Sequence, residues 1–248
     1  MAKKLKDYYD ENYVIDLATK LQSVYSPFNA KEFIAEVRDD LENQEFTGRQ
    51  VLIARTLKKY IALNYEETID LFSKILGPEL EGSLGMFTEG YWLWPIGKYV
   101  ELYGAEHFEV TSLFSKELTK RFTGEFCMRP LVHHYPKQAM ELLLEWSKDE
   151  NKRVRRLASE CLRIRLPWAK KLYVTLDYFD DYVTLLTNLK NDEDKTIQKS
   201  VANSLNDLYK EAPEKFDVII KNWQEEDLSP QTAWIIKHAS RTKEKHAK

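Results

Sequence analysis

Apolar residues recur at i, i+3 and i+4 along most of the chain, the spacing that lines one face of a helix. The pattern predicts helices near 5–24, 30–42, 47–62, 66–76, 90–103, 107–122, 124–134, 137–148, 152–164, 168–176, 180–190, 195–210, 214–224 and 230–240. Breaks fall at Ser26-Pro27, Gly77-Pro78, Gly82 to Gly85, Gly104, Tyr135-Pro136, Pro167, Ala212-Pro213 and Ser229-Pro230, where proline or glycine interrupts a helix.

Two stretches read as one unit written twice. Residues 146–162 (WSKDENKRVRRLASECL) and 189–205 (LKNDEDKTIQKSVANSL) lie 43 residues apart, and the register sets Asp149 on Asp192, Val154 on Ile197, Arg156 on Lys199 and Leu162 on Leu205. Leu142 and Leu143 fall on Leu185 and Leu186, so the repeat includes the preceding helix. Paired helices at this period indicate HEAT-like repeats. The expected fold is all-α, a right-handed α-solenoid with a concave binding face: one domain over 1–240, then a basic, frayed tail over 241–248. Asp149 and Asp192 are the expected N-caps of the second helix in each pair.

Composition agrees, since 43% hydrophobic residues with only 8 Gly and 8 Pro leave long helical segments. The first twenty residues lack the apolar core of a secretory signal, and no run of about 18 apolar residues could span a membrane. Cys127 and Cys161 sit in apolar helical patterns and read as reduced core thiols, which points to the cytoplasm. No CxxC or HxxxH spacing occurs, and the adjacent His133 and His134 diverge, so no metal site is expected.

Net charge is −3, but its distribution is uneven. Within 151–171, Lys152, Arg153, Arg155, Arg156, Arg163, Arg165, Lys170 and Lys171 face one acid, Glu160. Such a stripe suits a polyanion, because each neutralised phosphate releases counterions. A solvated helix face is the competing account. Helical spacing groups Arg153, Arg156, Glu160 and Arg163 on one polar face, Thr196, Lys199, Asn203 and Asp207 on another, and Arg121, Glu125 and Arg129 on a third. Three units thus each set an acid among cations or amides, and stacking is expected to bring Glu125, Glu160 and Asp207 together. Acids repel the phosphates that arginines attract, and a cationic substrate accounts for them: an alkylated base carries positive charge, and breaking its glycosidic bond builds an oxocarbenium-like sugar that carboxylates stabilise. Trp168 and Trp234 offer stacking surfaces, although packing is the plainer role for each.

RFTGEFCMRP (121–130), VRRLASECLRIRLPWA (154–169) and SVANSLNDLYKEAP (200–213) resemble the hallmark stretches of the AlkC-type bacterial DNA alkylation repair glycosylases, and QTAWIIKHASRT (231–242) resembles that family's closing Trp-containing helix. The resemblance covers most of the chain and is weakest before residue 66. It implies an AlkD-related HEAT-like fold and a hydrolase that removes cationic N3-alkylated bases, N3-methyladenine first and N3-methylcytosine as a further candidate, from double-stranded DNA with no metal or organic cofactor. Bending of the DNA would replace the usual base flipping. It also implies catalytic roles for Glu125, Glu160, Asp207 and Trp168. DNA contacts would fall to Arg129, Lys152, Arg155, Arg156, Arg163, Arg165, Lys199, Asn203 and Trp234. A monomer working at the nucleoid, without an obligate protein partner, follows. The chain departs from the family pattern at Cys161, Ile164, Gln198 and Ser204, and the first two are expected to straighten the turn that aims Arg163 and Arg165 at DNA. The rival readings are a non-catalytic binder of damaged or branched DNA and a HEAT-type protein scaffold.

Overall fold

The computed structural model describes residues 3–82, 85, 87–225 and 227–246, and every regular element among them is helical. Positions 83 and 84 of the expected glycine-rich break, and 247 and 248 of the expected tail, lie outside the described residues. No helix among the described residues is long and apolar enough to cross a membrane. The chain divides into two compact units, Met1–Met128 and Arg129–Lys248.

In the first unit a single 3-10 turn, Leu5–Tyr8, precedes α1 (Glu11–Val24), α2 (Ala30–Leu41), α3 (Phe46–Tyr60), α4 (Tyr65–Ser73), α5 (Trp94–Tyr103) and α6 (Phe108–Thr119). The first turn of α7 (Glu125–His134) closes the unit. The helix predicted from residue 5 starts later because the Asp10 carboxylate accepts the Tyr13 N–H at 3.0 Å and fixes the N-cap there. Val14, Leu17, Ala18 and Leu21 of α1 are buried, as are Phe33, Val37 and Leu41 of the neighbouring α2. Ile53, Ala54 and Leu57 on α3 do the same beside Ile96, Tyr99 and Val100 of α5. Each large side chain of these stripes contributes about 1.5–3 kcal/mol by leaving water. Gly90 has to be glycine: a Cβ there would stand 2.1 Å from the Arg121 carbonyl oxygen. Arg121 itself lies beyond the end of α6, where its Nε donates to the Gly77 carbonyl at 2.8 Å and its Nη1 to Glu117 Oε2 at 2.9 Å. It is a loop anchor, so the helical face expected to join it to Glu125 and Arg129 does not exist.

The second unit carries the duplicated segment. After α8 (Pro136–Trp146) and α9 (Lys152–Glu160) come a one-turn α10 (Val174–Asp177), then α11 (Phe179–Leu189), α12 (Lys195–Glu211), α13 (Pro213–Gln224), α14 (Pro230–Ala239) and α15 (Arg241–His246). The helices of the two copies begin at Lys152 and Lys195, as the periodicity predicts, but their caps stand two residues later than expected. Asn151 and Asp194, 43 residues apart, are the caps, accepting the N–H groups of Arg153 at 2.9 Å and Thr196 at 2.8 Å. Asp149 and Asp192 instead brace the turns before them, accepting from Asn151 N at 2.8 Å and Asp194 N at 2.9 Å. The copies differ at their far ends: α9 stops at Glu160, whereas α12 continues to Glu211. The helix predicted over 168–176 is mostly loop, with only Val174–Asp177 helical. Arg241–His246, expected to fray, is helical, and its Thr242 accepts from Asn206 Nδ2 at 2.9 Å.

Candidate active site and nucleic-acid interface

Glu160 ends α9 and Asp207 lies in the penultimate turn of α12, and one guanidinium joins them. Arg163 Nη1 donates to Glu160 Oε1 at 2.8 Å, and Arg163 Nε donates to Asp207 Oδ2 at 3.0 Å. Both acids are buried, at 6% and 3% exposure. Arg156, one turn before Glu160, brings its Nη2 to 3.7 Å from the same Oε1. The two acids do not hold equivalent repeat positions, as the spacing argument assumed: 43 residues beyond Glu160 stands Asn203. Asp207 belongs to the turns of α12 that have no counterpart in α9, and Arg163 reaches it from the loop that replaces them. Glu125 opens α7 in the first unit and is 5% exposed.

The environments push the two carboxyls apart. Burial disfavours the Glu160 anion, but the Arg156 and Arg163 charges and a 2.6 Å hydrogen bond from Ser200 Oγ outweigh it, and the group is held below its ordinary range. For Asp207 burial wins, and its carboxyl is raised above the ordinary 3.8 despite Arg163. Two acids sharing a cation yet displaced in opposite directions divide the labour available to a hydrolytic site, one a fixed anion and the other able to take a proton.

The loop after α9 is held from beneath. Arg129, 8% exposed, donates Nη1 to the carbonyls of Cys161 at 3.0 Å and Arg163 at 2.8 Å, and Nη2 to that of Lys170. Its assignment to the DNA phosphates is therefore corrected, because the guanidinium is used inside the protein. Within this loop Arg163 turns inward to the acids, with 11% of its side chain exposed, so it too is removed from the expected phosphate contacts. Arg165 faces outward with 43% exposed. Trp168 is 59% exposed and has φ +62°, a left-handed conformation that a bulky side chain seldom adopts and that costs on the order of 1–3 kcal/mol.

The opposite end of α9 is a different place. Arg155 donates Nε to Asp192 Oδ2 at 2.7 Å and Nη1 to the Asp149 and Glu150 carbonyls at 2.8 and 2.9 Å. Its repeat counterpart Gln198 does the same in the second copy, donating to the Asp192 carbonyl at 2.8 Å. Arg155 thus ties the repeats together, the third arginine of the expected DNA-binding set, after Arg129 and Arg163, whose guanidinium is engaged within the protein. Lys152 stands 3.7 Å from Asp194 Oδ2 on that acidic edge, a helix length of about 12 Å from Glu160. Arg153, placed on the polar face by spacing, is buried at 5% exposure. On α12, Lys199 is exposed and Asn203 accepts from Arg241 Nη2 at 2.9 Å. Trp234 stacks on His238 with centroids 4.9 Å apart, and Lys195 Nζ sits 5.2 Å from its ring centre.

Several residues around the acids are not among the site residues expected from the sequence, where Ser204 figures only as a departure from the family pattern. Ser159 and Ser200 share a 2.7 Å hydrogen bond beneath Glu160, and Ser204 donates to the Ser159 carbonyl at 3.3 Å. The buried Tyr182 hydroxyl faces Asp207 and Ser204, and burial pushes it up from its ordinary value. Serines inside the Ile197, Val201, Leu205 and Leu208 stripe are the visible sign of this seam, since an apolar core has no use for them. Among the described residues no group of three His, Cys, Asp or Glu is arranged to hold a metal.

Residues 123–243 match the family described as DNA alkylation repair enzymes. Across 96% of its length the chain is 32% identical to the uncharacterized protein YhaZ of Bacillus subtilis (strain 168), of which it covers 64%. It superposes with a TM-score of 0.84 and 30% identity on the alkylpurine DNA glycosylase AlkC of Pseudomonas fluorescens, solved bound to DNA containing an abasic site analog, over 97% of this chain and 65% of that one. The chain spans just under two thirds of the length of both. AlkD2 from Streptococcus mutans, at 21% identity and a TM-score of 0.50, covers 85% of this chain and 97% of its own and shares the HEAT-like helical fold.

Proposed function

We propose that the chain is an AlkC-type DNA alkylation repair protein and, on that reading, a DNA glycosylase hydrolysing the N-glycosidic bond of cationic N3-alkylated bases, N3-methyladenine first. One observation carries the reading: Glu160 and Asp207, both buried, share Arg163 while their protonation is displaced in opposite senses. In this scheme Glu160 is the fixed anion facing the positive charge of base and sugar. Asp207 orients a water molecule and takes its proton as the water oxygen bonds to C1′. The C1′–N bond breaks, and its electron pair leaves with the base, which departs neutral. Trp168 stacks against the opened site, and for Glu125, in the first unit, a charge-stabilising role rests on the family resemblance alone. The protein acts as a monomer on double-stranded DNA and requires no metal or organic cofactor.

The deciding experiment is mass-spectrometric identification of bases freed from methylated DNA by the purified protein. Release of N3-methyladenine supports the reading, and its absence from a correctly folded preparation removes it. The same digest reports whether N3-methylcytosine is released. A non-catalytic binder of damaged DNA is the second reading, favoured by the double engagement of Arg163, which occupies one oxygen of each acid. Glu160→Gln and Asp207→Asn separate the two: the enzyme loses base release while DNA binding stays equal or tightens.

A further inference from the structure

Around Asp207 the cations outnumber the acids, and two of them have no carboxylate of their own. Arg241 Nη1 donates to the His238 carbonyl at 2.7 Å and Nη2 to Asn203 Oδ1 at 2.9 Å, so neutral acceptors aim the guanidinium, and Asp207 is the acid that acts on its charge from nearby. Lys210, exposed one turn beyond Asp207, makes no ion pair within 4.0 Å among the described residues. Arg165 comes only within 3.6 Å of Glu211 Oε1, an oxygen that Lys171 already holds at 2.7 Å.

These groups face one another. Asn203 and Asn206 fasten Arg241 and Thr242 against α12, and Lys210 follows Asn206 by one turn on the same helical face. Partial desolvation lowers the Lys210 ammonium below its ordinary range; the Asp207 charge opposes this, and the Arg165, Arg241 and Arg163 charges add to it. Like charges gathered at this density are unfavourable in an empty protein and become favourable once an anion sits among them.

We propose that Arg165, Lys210 and Arg241 form a seat for a single backbone phosphodiester, fixed beside Asp207. The assignment of that phosphate to DNA rests on the function proposed above. Its consequence is positional: a phosphate held next to Asp207 sets the sugar attached to it at the carboxylate, so the seat selects which nucleotide is presented.

The test uses Lys210→Gln, with Lys210→Arg as the charge-keeping control, and a duplex carrying a tetrahydrofuran abasic site. Removing one phosphate contact lowers the slope of log affinity against log salt by about 0.9, so a fourfold rise in salt weakens the variant roughly threefold less than the wild type. Lys210→Arg keeps the wild-type slope. Single methylphosphonate substitutions stepped along the strand should weaken wild-type binding at one position flanking the abasic site, and Lys210→Gln should be indifferent there. An unchanged slope with the same penalty at every phosphate overturns the seat. Thermal stabilisation by inorganic phosphate alone, without a slope change on DNA, overturns its assignment to the backbone. Base release is scored separately: a lowered slope without release keeps the seat and removes the glycosylase, and release with an unaltered slope does the reverse.

Discussion

Replacing Arg163 by glutamine tests the centre of the site, because one side chain there neutralises two buried acids. The Arg163 side chain is 11% exposed, and those of Glu160 and Asp207 are 8% and 5% exposed, so solvent screens the pairs little. Removing one partner of a buried ion pair costs about 3–5 kcal/mol, chiefly by stranding the remaining charge. At roughly 2–4 °C per kcal/mol for a chain of this size, the melting temperature should fall by about 6–20 °C. The loss should depend on pH with a definite sign. Arg163 favours the anion of both carboxyls. Its stabilisation through Glu160, held below the ordinary range, is present above that range and is lost as pH falls through the lowered value. Its stabilisation through Asp207, which stays raised, is lost earlier in the descent, as pH falls through that raised value. The gap between wild type and Arg163→Gln should therefore be widest near neutrality and close on acidification. Calorimetry from pH 7 downward measures it. A loss under about 1 kcal/mol that does not vary with pH is what a solvent-exposed pair gives, and that result would refute the reasoning.

The remaining expectations concern the acids and the loop. If Asp207 is the proton acceptor, base release in single-turnover assays should fall on its acid side through an apparent pKa above the ordinary aspartate value of 3.8, and Arg163→Gln should move that limb upward; a limb at or below 3.8 contradicts the role. Arg155→Gln copies the residue found at the same place in the other repeat, so urea titration should show a cost within about 1 kcal/mol. The salt slope for DNA should remain that of the wild type, and a lower slope would return Arg155 to the phosphates. Trp168→Gly should keep or raise stability, by up to about 1–3 kcal/mol, since it releases a left-handed backbone at an exposed residue. The same change should weaken binding to abasic DNA by about 1–3 kcal/mol if the ring stacks on a base; tight binding by the variant would assign the strain to something else.

Periodicity located the helices well because most of them bury a full apolar stripe, and a register of 43 residues set Asp149 on Asp192 and Arg156 on Lys199, although the caps themselves are Asn151 and Asp194. What spacing could not say is which way a polar side chain turns when a helix ends. Arg129, Arg155 and Arg163 look alike in a linear stripe of basic residues, yet each spends its guanidinium on protein carbonyls or carboxylates. An arginine carries five donors and reaches far, so its partner is set by tertiary neighbours rather than by its place in a helical wheel. Arg241 and Lys210 were overlooked for the opposite reason, because nothing in their immediate sequence marks them. Their significance comes from Asn203 and Asn206 pinning a segment expected to fray.

The chemistry gathers where the repeat is broken. A strict helix pair offers each position the same neighbours, whereas Asn203, the counterpart of Glu160 in the second copy, is met by Arg241 of α15. Ending α9 at Glu160 and inserting the loop that carries Arg163, Arg165 and Trp168 gives Glu160 a cation from its own following loop, which also meets the longer α12 at Asp207. Arg129 is what lets such a loop pack inside a protein, since it takes up carbonyls that the lost helix would have paired. Arg129→Met should on this account lower stability by about 1–3 kcal/mol for each buried carbonyl left unpaired. Its effect on DNA affinity should be lost or gained together with the order of the loop. Amide exchange along residues 161–172 reads this directly: rapid exchange there with α9 and α12 still protected is the expected result, and unchanged protection would mean that the loop holds its shape without Arg129.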